Sequence, residues 1–343
     1  MATMNDVAAR AGVSQATVSR VLNSPEGAPI ADATRARVLR AMEELAYRPH
    51  LGAQTMKNRR SLHVGVLVEN SPQRPLTHPL AWEFILGIND GLEAGGHIMS
   101  LVRLTDVAQS GGLGARALRS QLLDGLIVVN HLPPEVEARV EEEFPHTIWL
   151  DGNVWRTQGC LRRDEADAAA TAVRAIARLG YEKLIYLGPN LRFAGHYSFA
   201  ERERGARMAA RSLGVRATFE TVEPHQSTAS GFVALAPRLA PDVALLVPGA
   251  YDAMQVVFEC AHRGLAVGRD FALACCDDGF HDGAAPFGSI ARVEFDRFAL
   301  GQQAAEMLLN TLSQSEAQPS RCERGVWRDG ASCPPLPAAS DGS

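Results

Sequence analysis

No apolar run in this sequence approaches the roughly 20 residues needed to span a membrane. Its start has neither the charged nor the apolar region of a secretory leader, so a cytoplasmic protein with no membrane partner is the expectation. The six cysteines, Cys160, Cys260, Cys275, Cys276, Cys322 and Cys333, form no Cys-x-x-Cys pair, and no His-rich metal spacing accompanies them. Neither a zinc site nor any cofactor is therefore expected. The neighbours Cys275 and Cys276 read as one thiol on each face of a buried strand rather than as a redox pair. No Gly-x-Gly-x-x-Gly opens the first helix after its strand, which leaves a dinucleotide fold without specific support. Nucleophile elbow, phosphate loop and metal set are missing too. The adjacent acids Asp277-Asp278 and Asp164-Glu165 do not replace them, because neighbours on a strand point opposite ways and neighbours on a helix do not share a face. Catalysis is not expected.

What is present is ordinary in bulk and uneven in charge. At 343 residues, 46% hydrophobic and 21% charged, the chain is sized for two or three globular domains. Net charge is −5, yet residues 1–60 hold nine Lys or Arg against five Asp or Glu, and the remainder holds 25 against 34. A basic head on an acidic body suits a nucleic-acid-binding headpiece attached to a domain that does not touch nucleic acid.

The head carries the sharpest pattern. Val7, Ala8 and Ala11 recur at helical spacing, Gly12-Val13-Ser14 interrupts, and Val18, Val21 and Leu22 resume it. Gly12 can take the positive φ that ends a first helix over 6–11, and Ser14 can cap a second by accepting a backbone N–H. Two short helices joined by a tight glycine turn make a helix-turn-helix, whose second helix enters the DNA major groove. A third helix is expected over 33–46 with Asp32 as its N-cap, and Val38, Met42 and Leu45 would close a three-helix core.

Asp6-Val7-Ala8, Ala11-Gly12-Val13-Ser14 and the run from Thr17 to Asn23 resemble the N-terminal signature of the lactose-repressor (LacI/GalR) family of transcription regulators. The resemblance implies double-stranded operator DNA as a partner, read by the start of the second helix. Gln15 could meet an adenine edge, Ala16 a thymine methyl and Arg20 a guanine, while Ser14, Thr17, Ser19 and Asn23 suit phosphate contacts. After Tyr47-Arg48-Pro49 the chain matches the family's hinge helix, which forms on the operator and wedges an apolar side chain into the minor groove. Ala53, Met56 and Lys57 are the DNA-facing candidates there. Met56 stands where the family usually has leucine. His50 replaces the usual Asn or Ser cap, and Gly52 sits inside the helix at a cost of about 1 kcal/mol. A hinge ordered only by DNA is the expectation.

From Leu62 onward short apolar runs alternate with amphipathic stretches. Strands are expected over 63–68, 97–102, 126–129, 147–150, 184–187, 243–247, 271–275 and 289–293. Helices are expected over 81–93, 165–179, 201–213, 253–263 and 297–312. That alternation argues for βαβ units and parallel sheets, an α/β class. The resemblance continues through Gly87, the run from Asp124 to Ile127, Leu179-Gly180-Tyr181, Arg202 with Gly205, Asp277-Asp278 and Gly301. It implies a two-lobed, periplasmic-binding-protein-like effector domain with a ligand in the cleft. The domains expected are a headpiece (1–48), a hinge and linker (49–60), an effector-binding and dimerisation domain (61–333) and a disordered tail (334–343).

Ligands in such folds bind outside the carboxyl ends of strands. Arg202 matches the family's effector-binding arginine and Asp277 its effector-binding aspartate. Asp151, at the end of the 147–150 strand, and His196 and Ser198, shortly before Arg202, match further pocket positions. His78 and Trp82 would line the other wall, and Asn130 ends another strand. Two positions depart from the family: Tyr251 replaces an amide, and Gln226 replaces an aromatic that many relatives stack on the effector. The second departure argues against a purine.

The tail shows no heptad repeat, so a homodimer is expected rather than a tetramer. The resulting reading is a repressor of a carbohydrate-utilisation operon released by a sugar or sugar derivative. The same fold with a purine-like corepressor, or with a cleft that responds to nothing, are the alternatives. A transport solute-binding protein fits neither the DNA head nor the missing leader.

Overall fold

A computed structural model describes residues 2–23, 30–47, 61–69, 79–104, 123–192, 195–277, 289–314 and 316–337. The hinge candidates Ala53, Met56 and Lys57, with His50 and Gly52, lie outside the described residues, as do His78 and Asp278. The chain divides after Ser61 into two compact units.

In the first unit, α1 (Met4–Ala11) starts in a capping box: the Thr3 hydroxyl accepts from the Asp6 N–H, and the Asp6 carboxylate accepts from the Thr3 N–H. It ends at Gly12 in the left-handed conformation, φ 65°. Ser14 then accepts from the Thr17 N–H at 3.1 Å and opens α2 (Gln15–Asn23). The third helix, α3, spans Asp32–Glu44. Asp32 is therefore its first residue rather than its cap, where the carboxylate still meets the positive helix end. Ala31 precedes it with no side-chain cap. Val7, Ala8, Ala11, Val18, Val21, Val38 and Ala41 form the core, with Met42 and Leu45 partly buried against it.

The second unit is two α/β lobes. The first lobe's sheet uses β1 (His63–Glu69), β2 (Ile98–Leu104), β3 (Gly125–Val129), β4 (Thr147–Leu150) and β5 (Cys160–Arg163). The second uses β6 (Lys183–Pro189), β7 (Arg216–Val222), β8 (Val243–Val247), β9 (Ala272–Cys275) and β10 (Ala291–Glu294). Two short late strands, β11 (Arg321–Glu323) and β12 (Val326–Arg328), complete one sheet each. The orders are β11-β5-β4-β3-β1-β2 and β12-β10-β9-β8-β6-β7. Every pairing is parallel except β12 on β10, so the expectation of parallel sheets needs that one correction.

Helices cover both faces of each sheet. In the first lobe α4 (Pro79–Ala94) and α10 (Arg297–Gln314) share one core, and α5 (Pro134–Glu143) covers the other face. In the second, α6 (Glu165–Arg178) and α7 (Tyr197–Leu213) lie on one face, and α8 (Thr228–Leu235) and α9 (Ala250–Arg263) on the other. The helices α4 and α10 touch through glycine. A Cβ on Gly87 would overlap the Phe298 carbonyl, and one on Gly301 would overlap that of Phe84. Cys275 packs in one core of the second lobe and Cys276 in the other, one thiol per face of the sheet. All six cysteines are free.

The chain passes between lobes at Arg163 to Glu165, at Glu294 to Arg297 and at Glu323 to Val326. Residues 334–337, expected to begin a disordered tail, instead pack on the second lobe. Tyr181 donates its hydroxyl to the Pro334 carbonyl at 2.8 Å, and the Leu336 N–H reaches the Leu179 carbonyl at 2.8 Å. Leu336 supplies apolar cover there. Among the described residues no helix is long and apolar enough to cross a membrane.

Candidate functional site

On the headpiece, helix α2 buries Val18 and Val21 and turns the opposite side outward. Ser14, Gln15, Ala16 and Arg20 are exposed, while Thr17 and Ser19 are half-buried. The Ser14 and Thr17 hydroxyls are 2.9 Å apart. Asn23 is the last residue of α2, and its side chain lies outside the described residues. Elsewhere on the surface Arg10 pairs with Glu44 at 2.6 Å, and Arg35 reaches the Val21 carbonyl at 3.5 Å. Arg37 and Arg40 are exposed.

In the second unit the strand ends converge on a buried ionic lattice. Asp151 follows β4, Arg163 ends β5, Glu165 starts α6, Asp277 follows β9 and Arg297 starts α10. Arg202 joins them from α7, which lies against α6 so closely that a Cβ on Gly205 would overlap the Ala166 carbonyl. Arg163 donates Nε to both oxygens of Asp151 at 3.2 Å, Nη2 to Asp151 at 2.9 Å and Nη1 to Asp277 at 2.9 Å. Arg202 forks onto Glu165, with Nε at 2.7 Å and Nη2 at 2.9 Å, and reaches Asp277 at 2.8 Å. Its Nη1 meets the Pro248 carbonyl at 2.9 Å. Arg297 pairs with the other oxygen of Asp277. No member is more than 5% exposed. Three guanidinium groups thus balance three carboxylates away from water, the arrangement that makes buried charge tolerable.

Electrostatics follow from this packing. The three arginines hold Asp277 well below the usual carboxylate range against the cost of burial, and Arg163 with Tyr197 holds Asp151 low. Burial pushes Glu165 up despite its two arginines. His196 caps α7: its Nδ1 accepts from the Ser198 hydroxyl at 2.8 Å, which leaves the ring proton on Nε2 for the Asp151 carbonyl at 2.7 Å. Burial lowers its pKa to about 4, so the ring is neutral near pH 7. Asp252 is raised by burial and accepts from the Thr228 hydroxyl at 2.6 Å.

Of the effector-binding candidates, Asp151, His196, Ser198, Arg202 and Asp277 come together in this connected cluster. Asn130 lies one strand away, with its N–H on the Leu150 carbonyl. Asn130 and Asp151 both hold positive φ, 66° and 55°, which is strained backbone at two neighbouring strand ends. Tyr251 is half-buried at the start of α9, Gln226 is exposed before α8, and Trp82 is 56% exposed on α4. One expectation changes: Arg202 is not an open hydrogen-bond donor, because Glu165, Asp277 and Pro248 occupy its guanidinium. Sequence reasoning missed Arg163, Glu165, Arg297 and Tyr197 as members of the site. The one local signal was Arg162-Arg163 directly after the apolar Cys160-Leu161 and before the Asp164 cap.

Residues 3–50 match the description "Bacterial regulatory proteins, lacI family", and residues 173–333 match "Periplasmic binding protein-like domain". The chain thus carries a lacI-family DNA-binding head and a periplasmic-binding-protein-like body. It is 27% identical over 330 residues to the HTH-type transcriptional regulator GntR of Escherichia coli (strain K12), covering 94% of this chain and 95% of that protein. It is 28% identical to the lactose operon repressor of the same strain, over 92% and 86% of the two chains. The PurR repressor of Edwardsiella ictaluri (strain 93-146) is 25% identical over 96% and 98%. Among solved structures, the Lac repressor bound to ONPG in its repressed state superposes with a TM-score of 0.75 at 22% identity, covering 96% of this chain and 99% of that one, and shares its fold. With that head and body, the chain is a ligand-responsive DNA-binding transcription regulator and not an enzyme.

Proposed function

We propose that the protein acts in the cytoplasm as a homodimeric repressor on a two-fold symmetric operator, and that a small polar effector in the interlobe cleft sets its affinity. The observation that carries the DNA half is the outward face of α2. Gln15, Ala16 and Arg20 stand free for base edges, flanked by the hydroxyls of Ser14, Thr17 and Ser19 for phosphate. In this reading Asn23 adds a phosphate contact, and Ala53, Met56 and Lys57 of the hinge meet the minor groove. Dimerisation is supported by apolar side chains left in water. Trp82 and Leu86 on α4 are 56% and 44% exposed, and Ile98 and Leu101 lie on the edge strand β2.

A sugar or sugar derivative is the effector class this cleft favours. In this reading Asn130, at a strand end next to Asp151, and Tyr251, at the start of α9, offer amide and phenol groups to such a ligand. Relatives include the lactose operon repressor and regulators named MalR. A purine-like ligand would want a stacking ring, and the position before α8 holds Gln226. The saturation of Arg202 and Asp277 favours a second reading, a cleft that answers no ligand. A thermal-shift screen of the full chain against sugars, sugar acids, sugar phosphates and purines decides. A sugar that raises the melting temperature of the wild type but not of Tyr251→Phe or Asn130→Ala supports the first reading, because a native-state ligand stabilises by mass action. A purine hit supports the corepressor reading, and no hit supports the unresponsive cleft.

A further inference from the structure

Asp151 belongs to the first lobe and Asp277 to the second, and both are strand-end carboxylates of the kind a cleft ligand would span. One side chain of the protein spans them already. Arg163, the last residue of β5, sets Nη2 at 2.9 Å from Asp151 and Nη1 at 2.9 Å from Asp277, with Nη2 also 3.0 Å from Glu165. The guanidinium is sealed from water together with all three acids. Around it the lobes are bonded directly. The Tyr197 hydroxyl donates to Asp151 at 2.6 Å and the Tyr197 N–H to Asn153 Oδ1 at 2.8 Å. Asn153 Nδ2 donates to the Gly195 carbonyl at 2.7 Å, and His196 Nε2 to the Asp151 carbonyl at 2.7 Å.

We propose that Arg163 is a built-in occupant of the interlobe cleft, which holds the two lobes closed with no ligand present. The proposal rests on reading the cleft as the regulatory site, but it concerns the resting state and not the effector. The physical reason is charge. With Arg163 in place, three arginines and three carboxylates close to neutrality. Without it, Asp151 loses its cation, and it and Asp277 become buried like charges on opposite lobes that repel. Against that repulsion only the hydrogen bonds of Tyr197, Asn153 and His196 then hold the lobes, unless another cation enters between the two carboxylates. Arg202 and Arg297 still serve Asp277 from the second lobe's side but do not reach Asp151 among the described bonds. The space left is shaped for a guanidinium, so a small guanidinium ion can refill it. A ligand that enters the wild-type protein meets lobes already closed, and binds beside Arg163 rather than drawing the lobes together.

The test measures the spacing of the lobes in the full chain. Nitroxide labels go on cysteines placed at Ala138 in α5 and Arg211 in α7, both exposed, in a Cys322→Ser background that removes the one exposed native thiol. Pulsed electron-spin measurements then give the distance distribution. The ligand-free wild type is expected to show one narrow distribution, and Arg163→Ala a longer, broader one that millimolar methylguanidinium narrows back. Methylguanidinium should leave the wild type unchanged. If Arg163→Ala does not fold, Arg163→Met with Asp151→Asn removes the bridge while keeping the local charge balanced, and should also open. A broad, long distribution in the ligand-free wild type would overturn the proposal. So would a wild-type distribution in either folded variant, or an open Arg163→Ala that methylguanidinium fails to close. A failed sugar screen would count only against the effector assignment, since these distances are read without one.

Discussion

Replacing Arg202 by methionine removes the guanidinium that Glu165 and Asp277 share while keeping much of its volume. Four hydrogen bonds go, at 2.7 and 2.9 Å to Glu165, 2.8 Å to Asp277 and 2.9 Å to the Pro248 carbonyl. Three of them end on carboxylates sealed from water. Deleting one partner of a buried ion pair costs about 3–5 kcal/mol, because the survivor stays buried without compensation. That is a large share of the about 5–15 kcal/mol that holds a protein folded. A domain of this size loses about 2–4 °C per kcal/mol, so the melting temperature should fall by about 10 °C. The four tryptophans, Trp82, Trp149, Trp155 and Trp327, all lie in the second unit, so their fluorescence follows its unfolding alone. Glu165→Gln and the double variant complete a cycle, and the double variant should lose less than the sum of the singles. A loss under about 0.5 kcal/mol for Arg202→Met, the range of an ordinary surface substitution, or strictly additive losses, would refute the lattice as the role of Arg202.

Other expectations follow from the same structure. His196 is neutral and buried with a pKa of about 4, whereas an unfolded histidine takes its proton near pH 6.5. Between those values the unfolded chain binds more protons, so stability should fall as pH drops from about 6.5 toward 4 and level off above that window. Urea midpoints across that range should show the slope, and His196→Gln should flatten it. Asp151 and Asp277 are held low, so their share of stability should persist into stronger acid before it is lost. Gly301→Ala should lower stability by about 1–3 kcal/mol, the usual penalty of overpacking, because its methyl meets the Phe84 carbonyl on α4; an unchanged melting curve would show that α4 and α10 can separate freely. Arg20→Ala should weaken specific operator binding far more than binding to random duplex; equal losses would reduce Arg20 to a phosphate contact.

The parts of this protein that were legible in its sequence are those where the physics is local. Gly12 and Ser14 mark the helix-turn-helix because a left-handed turn and a hydroxyl cap are properties of single residues. The all-buried strands β3 and β8 announce themselves as apolar runs. Strand β5, by contrast, reads Cys-Leu-Arg-Arg, and its end is polar because Arg163 serves acids 12 and 114 residues away in sequence. Nothing local reveals those partners. Strand β7 escapes for another reason: it is an edge strand on which Arg216, Thr218 and Thr221 face water. The strands β11 and β12 are three residues each and form only because the chain crosses between lobes there. At the site, the family pattern picked out Asp151, Arg202 and Asp277 as neighbours in function. That they would be tied to one another and to Arg163 required the third dimension.

The measurement that tests the account most directly is a selection of bound fragments from random-sequence duplex DNA by the full chain, run beside Arg20→Ala. A symmetric reader with α2 at its face should enrich one pseudo-palindromic site, its half-sites matched by two copies of the headpiece, and Arg20→Ala should lose enrichment at a fixed position of each half-site. No enriched sequence, or an asymmetric one untouched by Arg20→Ala, would contradict it.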